Sequence, residues 1–279
     1  GVWRHADARA RGLKRVQVEP HLSISGALAS EWLPIKPKTD AAFLYALIHR
    51  ILHERDWRAV CDLRFLRDDT NAPYLVGPNG YFLRDPESRK PLIWDSRAGH
   101  AKAFDDATPA PALGGTYRCT GIEVGADGEE WRHDGAGVRP AFQLLLDHMA
   151  PYSPDWAAAQ CDIPAERMRR VADEFLQAAC VGETIEVDGL TLPFRPVAVL
   201  LGKTVNSGWG GYAAVWARTL LACLVGALEV PGGILGTNVK LNRRADATAA
   251  LAKLVDFGLN ANRLALMLLF QKNTTDFQR

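Results

Sequence analysis

Apolar residues follow two rhythms along the chain, and each rhythm predicts a kind of element. Phe43, Leu44, Leu47, Ile48, Ile51 and Leu52 recur at three- and four-residue spacing and predict a helix with one apolar face. The spacing returns at Phe142, Leu145, Leu146 and Met149, stopped by Pro151. It returns again at Met168, Val171, Ala172, Phe175 and Leu176, behind a first-turn Pro164. A fourth helix is predicted over residues 212–228. Alternation takes over at Lys14–Glu19, which predicts a short strand closed by Pro20; a basic helix ends at Arg11 before it, with Gly12 suited to the left-handed cap. The continuous apolar run Val197–Leu201 reads as a strand buried on both faces. Three hairpins are predicted. Tyr81–Asp85 and Pro91–Asp95 flank the turn at 86–90, Tyr117–Val124 and Glu130–His133 flank Gly125–Gly128, and residues 183–192 fold about Asp188-Gly189.

Helices following strands, with small hairpins set between them, predict an α/β fold. The expected architecture is a partial doubly wound, Rossmann-like arrangement of parallel sheets with flanking helices and small β-hairpin excursions. Residues 1–195 form one dinucleotide-binding α/β domain on this reading, with hairpin insertions at about 81–135. Residues 196–240 return into a second α/β domain, and 241–279 are an unassigned tail. Composition changes the picture only by exclusion. With 279 residues, 48% of them hydrophobic, a sizeable core is available. Lys+Arg 33 against Asp+Glu 32 leaves a net charge of +1, which gives no footprint for nucleic acid. The best candidate for a membrane span, Tyr212–Val230, is interrupted by Arg218 and carries Glu229, so a packed helix is expected instead. The five cysteines form no CxxC pair and read as reduced thiols. His49, His53, His100, His133 and His148 are scattered and read as packing or surface groups.

Candidate chemistry gathers at two places. Helix, Gly turn and strand, ending in Glu19, are the second half of a strand–helix–strand unit in which a strand-end carboxylate bonds a ribose hydroxyl. Farther on, Pro34 and Pro37 force an extended run, and Thr39 or Asp40 caps the helix that follows. Backbone donors and a carboxylate at that helix start are the groups a guanine edge needs; a plain capping role for Asp40 explains the same residue. The second place is Gly202-Lys203-Thr204-Val205-Asn206-Ser207-Gly208-Trp209-Gly210-Gly211, where a strand exit, a Gly-rich loop and a helix start let backbone N–H groups approach a phosphate. The spacing is neither GxGxxG nor the P-loop pattern, and a tight connection without a ligand accounts for it equally well.

Val18-Glu19-Pro20-His21-Leu22-Ser23 and Glu31-Trp32-Leu33-Pro34-Ile35-Lys36-Pro37-Lys38-Thr39-Asp40 together resemble the large subunit of the molybdopterin oxidoreductases, the dimethyl sulfoxide reductase superfamily. In that family a strand ends in Asp-Pro-Arg, and Trp-Leu-Pro-Ile-Arg-Pro-Gly-Thr-Asp leads into a long helix. Here Glu19 stands for the usual Asp, His21 for the usual Arg and Lys38 for the usual Gly. Lys38 therefore needs a negative φ or carries strain. Thr70-Asn71-Ala72-Pro73-Tyr74-Leu75-Val76 resembles the family segment before a hairpin. Val225-Gly226-Ala227-Leu228-Glu229-Val230-Pro231-Gly232-Gly233 resembles its Gly-Asn-x-Gly-x-Pro-Gly-Gly run, with Ala227 and Glu229 departing. The wording around Gly202–Gly211 is most similar to the phenylacetyl-CoA:acceptor oxidoreductase branch, near the tetrathionate and polysulfide reductases.

The resemblance implies molybdenum or tungsten held by two pterin guanine dinucleotides, bis-MGD, and two-electron chemistry at the metal. It implies a cofactor cradle of Glu19, His21, Ser23, Pro37, Thr39, Asp40, Gly202, Lys203, Asn206, Gly208 and Trp209, with no metal ligand in this chain. The family's 4Fe-4S cluster and its metal ligand are expected in sequence before Gly1. The implied partners are a small-molecule or CoA-thioester substrate, an iron-sulfur subunit, plus a membrane-anchor subunit, on the cytoplasmic or the periplasmic side. Two other readings stay open on sequence: a non-redox nucleotide-binding module like the middle domain of thiamine-dependent enzymes, and an inactive remnant.

Overall fold

The computed structural model describes residues 2–106, 110–202, 205, 207–208 and 210–234, with side chains from residue 5 onward. Helix α1 (Val2–Ala10) ends at Gly12, whose φ of 96° only a residue without a Cβ adopts freely, and the chain turns into β1 (Val16–Val18). A single turn, α2 (Ile24–Ala27), then leads to β2 (Glu31–Leu33), which pairs parallel to β1 with Val16 opposite Glu31 and Val18 opposite Leu33. Helix α3 (Asp40–His53) follows, and the parallel pair with its helices establishes the α/β class. Short helices α4 (Trp57–Val60) and α5 (Leu63–Asp68) start at Asp56 and Asp62, whose carboxylates accept from Arg58 N and Phe65 N.

The chain then makes a β excursion. Strand β3 (Leu75–Val76) joins the hairpin β6 (Tyr117–Val124)–β7 (Glu130–Pro140) in the order β3-β7-β6. A second hairpin, β4 (Leu92–Asp95)–β5 (His100–Ala103), lies beside it. Leu75, Leu83, Leu92, Cys119 and Val138 form its own small core, over which Trp94 stacks on Tyr117 at 4.4 Å. Helices α6 (Ala141–Met149), α7 (Pro154–Cys161) and α8 (Ala165–Ala178) bring the chain back onto α3. The hairpin β8 (Thr184–Val187)–β9 (Leu190–Pro193) turns at Asp188 and Gly189, with φ of 52° and 79°, the left-handed pair that a two-residue hairpin needs. Helix α9 (Gly211–Leu224) completes the described fold against α3.

One core joins these elements: Leu33, Ile48, Ile51, Phe142, Met149, Met168, Ala217 and Leu220 share it. Val16, Val18, Val199 and Leu201 pack against it from the edge. Complete burial of side chains such as Ile48 and Ile51 contributes about 1.5–3 kcal/mol each. Charges tie α8 in place. Arg50 bonds Glu54 and Asp173, Arg55 also holds Asp173 at 2.7 Å, Arg169 bonds Glu54 at 2.9 Å, and Lys14 reaches Glu174 at 2.7 Å. Near the exit of α9 a buried guanidinium, Arg195, donates to Asp62 at 2.7 Å and to the carbonyls of Val225, Cys180, Glu183 and Phe194 at 2.8–3.2 Å. All of its donor nitrogens are bonded, which is what burying such a charge requires.

Three expectations need correction. Val197–Leu201 has no regular secondary structure and pairs with no strand among the described residues, and Leu200 is 79% exposed. An apolar run creates a tendency to be covered; a ladder needs a neighbouring strand as well. Thr39 occupies the position before α3, but its hydroxyl donates to the Lys36 carbonyl at 2.6 Å and caps nothing. Pro164 precedes α8 and does not lie in its first turn. Among the described residues, no helix is long and apolar enough to cross a membrane; Tyr212–Val230 is mostly α9, with Ala217, Leu220, Leu221 and Leu224 in the core. The tail 241–279 lies outside the described residues.

Burial raises the Asp173 pKa, but hydrogen bonds from Arg55 and Arg50 outweigh it and hold the carboxyl at about 2. Against an unfolded value of about 3.9, this pair contributes stability that is complete above pH 4 and lost as pH falls toward 2. Asp173→Asn is expected to lower stability at pH 7 by about 1 kcal/mol, a small figure because the carboxylate is partly exposed. Urea midpoints of variant and parent should converge as pH falls to 2.

Candidate cofactor-binding site

Where β1 faces α3 and α8, the fold leaves a cavity of about 330 Å³, lined on its far side by residues 197–202. Its walls are mainly apolar: Val16 and Val18 from β1, Phe43, Leu44 and Leu47 from α3, Val171 and Phe175 from α8. Asp40 and Gly202 reach the same cavity. Asp40 begins α3, where unpaired backbone N–H groups and the helix dipole favour negative charge. It is half-buried, and among the described residues its carboxylate forms no hydrogen bond or ion pair. The carboxylate therefore retains its full accepting capacity for a ligand.

Beside it, Lys38 adopts φ 70°, a left-handed backbone that costs a residue with a Cβ roughly 1–2 kcal/mol. Its ammonium lies against Gly208, where a Cβ would stand 2.2 Å from Nζ. The contact brings the Lys38 side chain from the start of α3 against Gly208, and a flexible lysine tip can move aside, so it does not by itself demand glycine there.

Glu19 sits at the tip of β1 and is already engaged. One carboxylate oxygen accepts from Ser23 N at 3.0 Å and Ser23 Oγ at 2.6 Å, the other from Gln17 Nε2 at 3.0 Å. The Ser23 hydroxyl, above all, holds the Glu19 carboxyl below its ordinary value. Ser23 Oγ also accepts from Gly26 N and caps α2. Glu19 and Ser23 thus form a local pair apart from the lining of the cavity. His21 and Pro37 are exposed, and Thr39 is half-buried. Lys203, Asn206 and Trp209 lie outside the described residues.

Two polar participants are not evident from the sequence pattern. Gln17 lies two residues before Glu19, on the same side of the strand, and it both lines the cavity and orients that carboxylate. Lys38 enters the pattern only as the loss of a glycine; its charge, one residue before Thr39-Asp40, is the available signal. His49 Nδ1 and His53 Nε2 each bond a backbone carbonyl, of Met149 and Leu146, at 2.9 Å, in keeping with packing roles. Among the described residues, no three His, Cys, Asp or Glu side chains group as a metal site.

No family model matches the chain. A sulfite dehydrogenase subunit of Allochromatium vinosum is 28% identical over 259 residues, covering 82% of this chain and 24% of that protein. The alpha subunit of the perchlorate reductase of Dechloromonas aromatica is 26% identical, covering 82% and 28%. A putative dimethyl sulfoxide reductase catalytic subunit of Halobacterium salinarum is 28% identical over 175 residues, covering 60% and 19%. These relatives belong to the dimethyl sulfoxide reductase superfamily of molybdopterin oxidoreductases, which is what the chain is similar to. It spans about a quarter of the length of these curated relatives. Acetylene hydratase from Pelobacter acetylenicus is similar in structure at a TM-score of 0.47 and 16% identity, over 84% of this chain and 20% of that one.

The two departures from glycine share one backbone feature. Lys38 and Glu229 stand where the family pattern has glycine, and both keep a left-handed backbone, with φ of 70° and 56°. At both positions a residue with a Cβ holds a backbone that glycine adopts without strain. Lys38→Gly and Glu229→Gly are each expected to raise stability by about 1 kcal/mol, since relief of left-handed strain exceeds the entropy glycine adds to the unfolded chain. An unchanged urea midpoint in both variants would contradict this.

Proposed function

We propose that this chain is part of the catalytic subunit of a molybdenum or tungsten oxidoreductase and supplies part of the cradle for its bis(pterin guanine dinucleotide) cofactor. The observation that carries the reading is Asp40: an uncommitted carboxylate at the start of a rigid helix, beside the Lys38–Gly208 contact, within the stretch that resembles the family. The donor set fits such a group. Asp40 accepts N–H bonds from a guanine edge, Lys38 offers positive charge to a phosphate, and Gly202 and Gly208 leave backbone open to close approach. Lys203, Asn206 and Trp209, in the same glycine-rich stretch of sequence, are assigned to the pterin by the resemblance alone. Glu19 and Ser23, with His21 near them, serve a ribose only by exchanging their mutual hydrogen bonds for ligand hydroxyls. Pro37 and Thr39 shape the turn into α3.

When bound, the cofactor's metal supplies two-electron redox chemistry; the chain binds and orients it. The finer assignment is oxidation of a CoA thioester of the phenylacetyl-CoA type. Electrons pass to an iron-sulfur subunit, then to a membrane-anchor subunit, while a 4Fe-4S centre sits in sequence upstream of this chain. Wording around Gly202–Gly211 supports that branch.

Asp40→Ala in the intact catalytic subunit is the test. Loss of charge-assisted hydrogen bonds worth about 1.5–3 kcal/mol should weaken cofactor retention roughly tenfold to a hundredfold. Molybdenum or tungsten content and guanine nucleotide released on denaturation report it. Unchanged content of both, in a variant whose urea midpoint matches the parent, overturns the assignment of Asp40. A parent protein that holds neither metal nor guanine nucleotide overturns the oxidoreductase reading and leaves an inactive remnant.

A further inference from the structure

We propose that Tyr152 is the electron donor of an aromatic relay, and that its hydroxyl repairs Trp216 and Trp156 after either indole has lost an electron to a radical oxidant. The inference rests on ring contacts among the helices and is independent of whether a pterin binds.

Five rings drawn from distant parts of the sequence meet beside α3. Tyr45 comes from α3, His148 from α6, Trp156 from α7 and Trp216 from α9, while Tyr152 lies in the turn between α6 and α7. Tyr152 touches three of the other four: Tyr45 and Trp156 at centroid distances of 5.0 Å, and His148 at 5.5 Å. Trp216 closes the cluster, 5.9 Å from Tyr45 and 6.4 Å from His148. All of these contacts are tilted or edge-to-face, the arrangement that ring quadrupoles favour. The hub is also held by its backbone, since Tyr152 N donates to the Met149 carbonyl at 3.2 Å.

Burial grades the cluster. Trp156 is 37% exposed and His148 is exposed, whereas Tyr45, Tyr152 and Trp216 are half-buried. An oxidant in solution therefore reaches the Trp156 indole directly and the Trp216 indole at its edge. An indole left without its electron takes up oxygen, and the polar product then sits in the apolar contact between α3 and its neighbours. A phenol surrenders an electron together with its hydroxyl proton more readily than an indole surrenders one at neutral pH. Tyr152 is placed to do this for both tryptophans, and its half-buried position leaves water to receive the proton. Burial, and after it the nearby Tyr152, raise the pKa of Tyr45, so that hydroxyl keeps its proton and the Tyr45 ring serves as a bridge.

A one-electron oxidant such as the carbonate radical takes an electron from Trp216 or Trp156 and is reduced to carbonate. Tyr152 returns an electron to that indole, directly to Trp156 and through the ring of Tyr45 or His148 to Trp216. The Tyr152 O–H bond breaks in the same step, and its proton passes to water. A small reductant, a thiol or ascorbate, then gives a hydrogen atom to the Tyr152 phenoxyl and the O–H bond reforms. One electron has moved from reductant to oxidant, one proton has gone to water, and every ring is restored.

Oxidation of the intact protein by photogenerated ruthenium(III) tris-bipyridine, with oxygenated residues mapped by mass spectrometry, tests this. Tyr152→Phe keeps the ring and removes only the hydroxyl. At equal oxidant dose it should raise oxygenated Trp216 and Trp156 severalfold over the parent. Trp32, whose indole bonds the Glu19 carbonyl away from the cluster, should be unchanged. Tyr45→Phe keeps the bridging ring and should leave both yields at their parental values. Equal yields of oxygenated Trp216 and Trp156 in parent and Tyr152→Phe overturn the proposal. So does an equally large rise in Tyr45→Phe, which would make Tyr45 the donor. A rise that singlet oxygen reproduces also overturns it, because that reagent reads access to the indole without electron transfer. If Tyr152→Phe has a lower urea midpoint than the parent, the parent alone decides. In deuterated water its hydroxyl deuteron leaves more slowly and the yield at Trp216 should rise; an unchanged yield overturns the assignment.

Discussion

Burial of α3 on nearly all its faces is the constraint on which the rest of the structure depends. A helix with Phe43, Leu44, Leu47, Ile48, Ile51 and Leu52 buried cannot be satisfied by one neighbour, so α6, α7, α8 and α9 must all be brought to it from distant parts of the chain. Its polar intrusions are settled locally: His49 and His53 find carbonyls on α6, and Arg50 and Glu54 meet the charges of α8. A helix so enclosed is a rigid post. Whatever projects from its first turn, Asp40 above all, is held in place by the whole core.

A second fixed point lies at the other end of the fold. Arg195 clasps Asp62 and four carbonyls drawn from the β8–β9 region and the exit of α9. Burial of a guanidinium costs several kcal/mol in lost hydration, which only a complete set of bonded partners offsets. Asp62 is shared, since its other oxygen starts α5. The described segment 197–202 therefore leaves directly from a residue, Arg195, that is fixed on both sides of its chain.

Much of this was legible in sequence because the responsible forces are periodic or local. Phe142, Leu145, Leu146 and Met149 face inward as their spacing demands, Asp188-Gly189 makes the expected turn, and Gly12 takes the expected left-handed cap. Less was legible where structure depends on a partner. The run 197–201 looks like a buried strand because apolar sequence records a need for cover without recording what supplies it. Helix α7 has little apolar periodicity, and its only local signal was Ser153, whose hydroxyl accepts from Trp156 N, followed by Pro154. At the site, the sequence singled out Asp40 and the glycines as two separate places, and the structure puts Asp40 and Gly202 on the wall of one cavity. It could not reveal that Glu19 and Ser23 satisfy one another, since that depends on a turn, α2, too short to leave a pattern.

The cysteines carry a consequence of a different kind. Burial pushes the thiols of Cys61 and Cys223 up to about 12, and Cys119 and Cys161 are raised by the same cause. Four of the five thiols are thus shut away from solvent as neutral groups, with only Cys180 partly open. Reaction needs the thiolate, so these four buried thiols resist alkylating and oxidising reagents in the folded molecule and react in the unfolded chain. Cys61 and Cys223 lie where α9 meets α4 and α5, joined by the bond from Asp62 N to Leu224 O at 2.8 Å. The chain thereby carries its own clock for local opening: the rate at which those two sulfurs are labelled counts the moments when that junction comes apart.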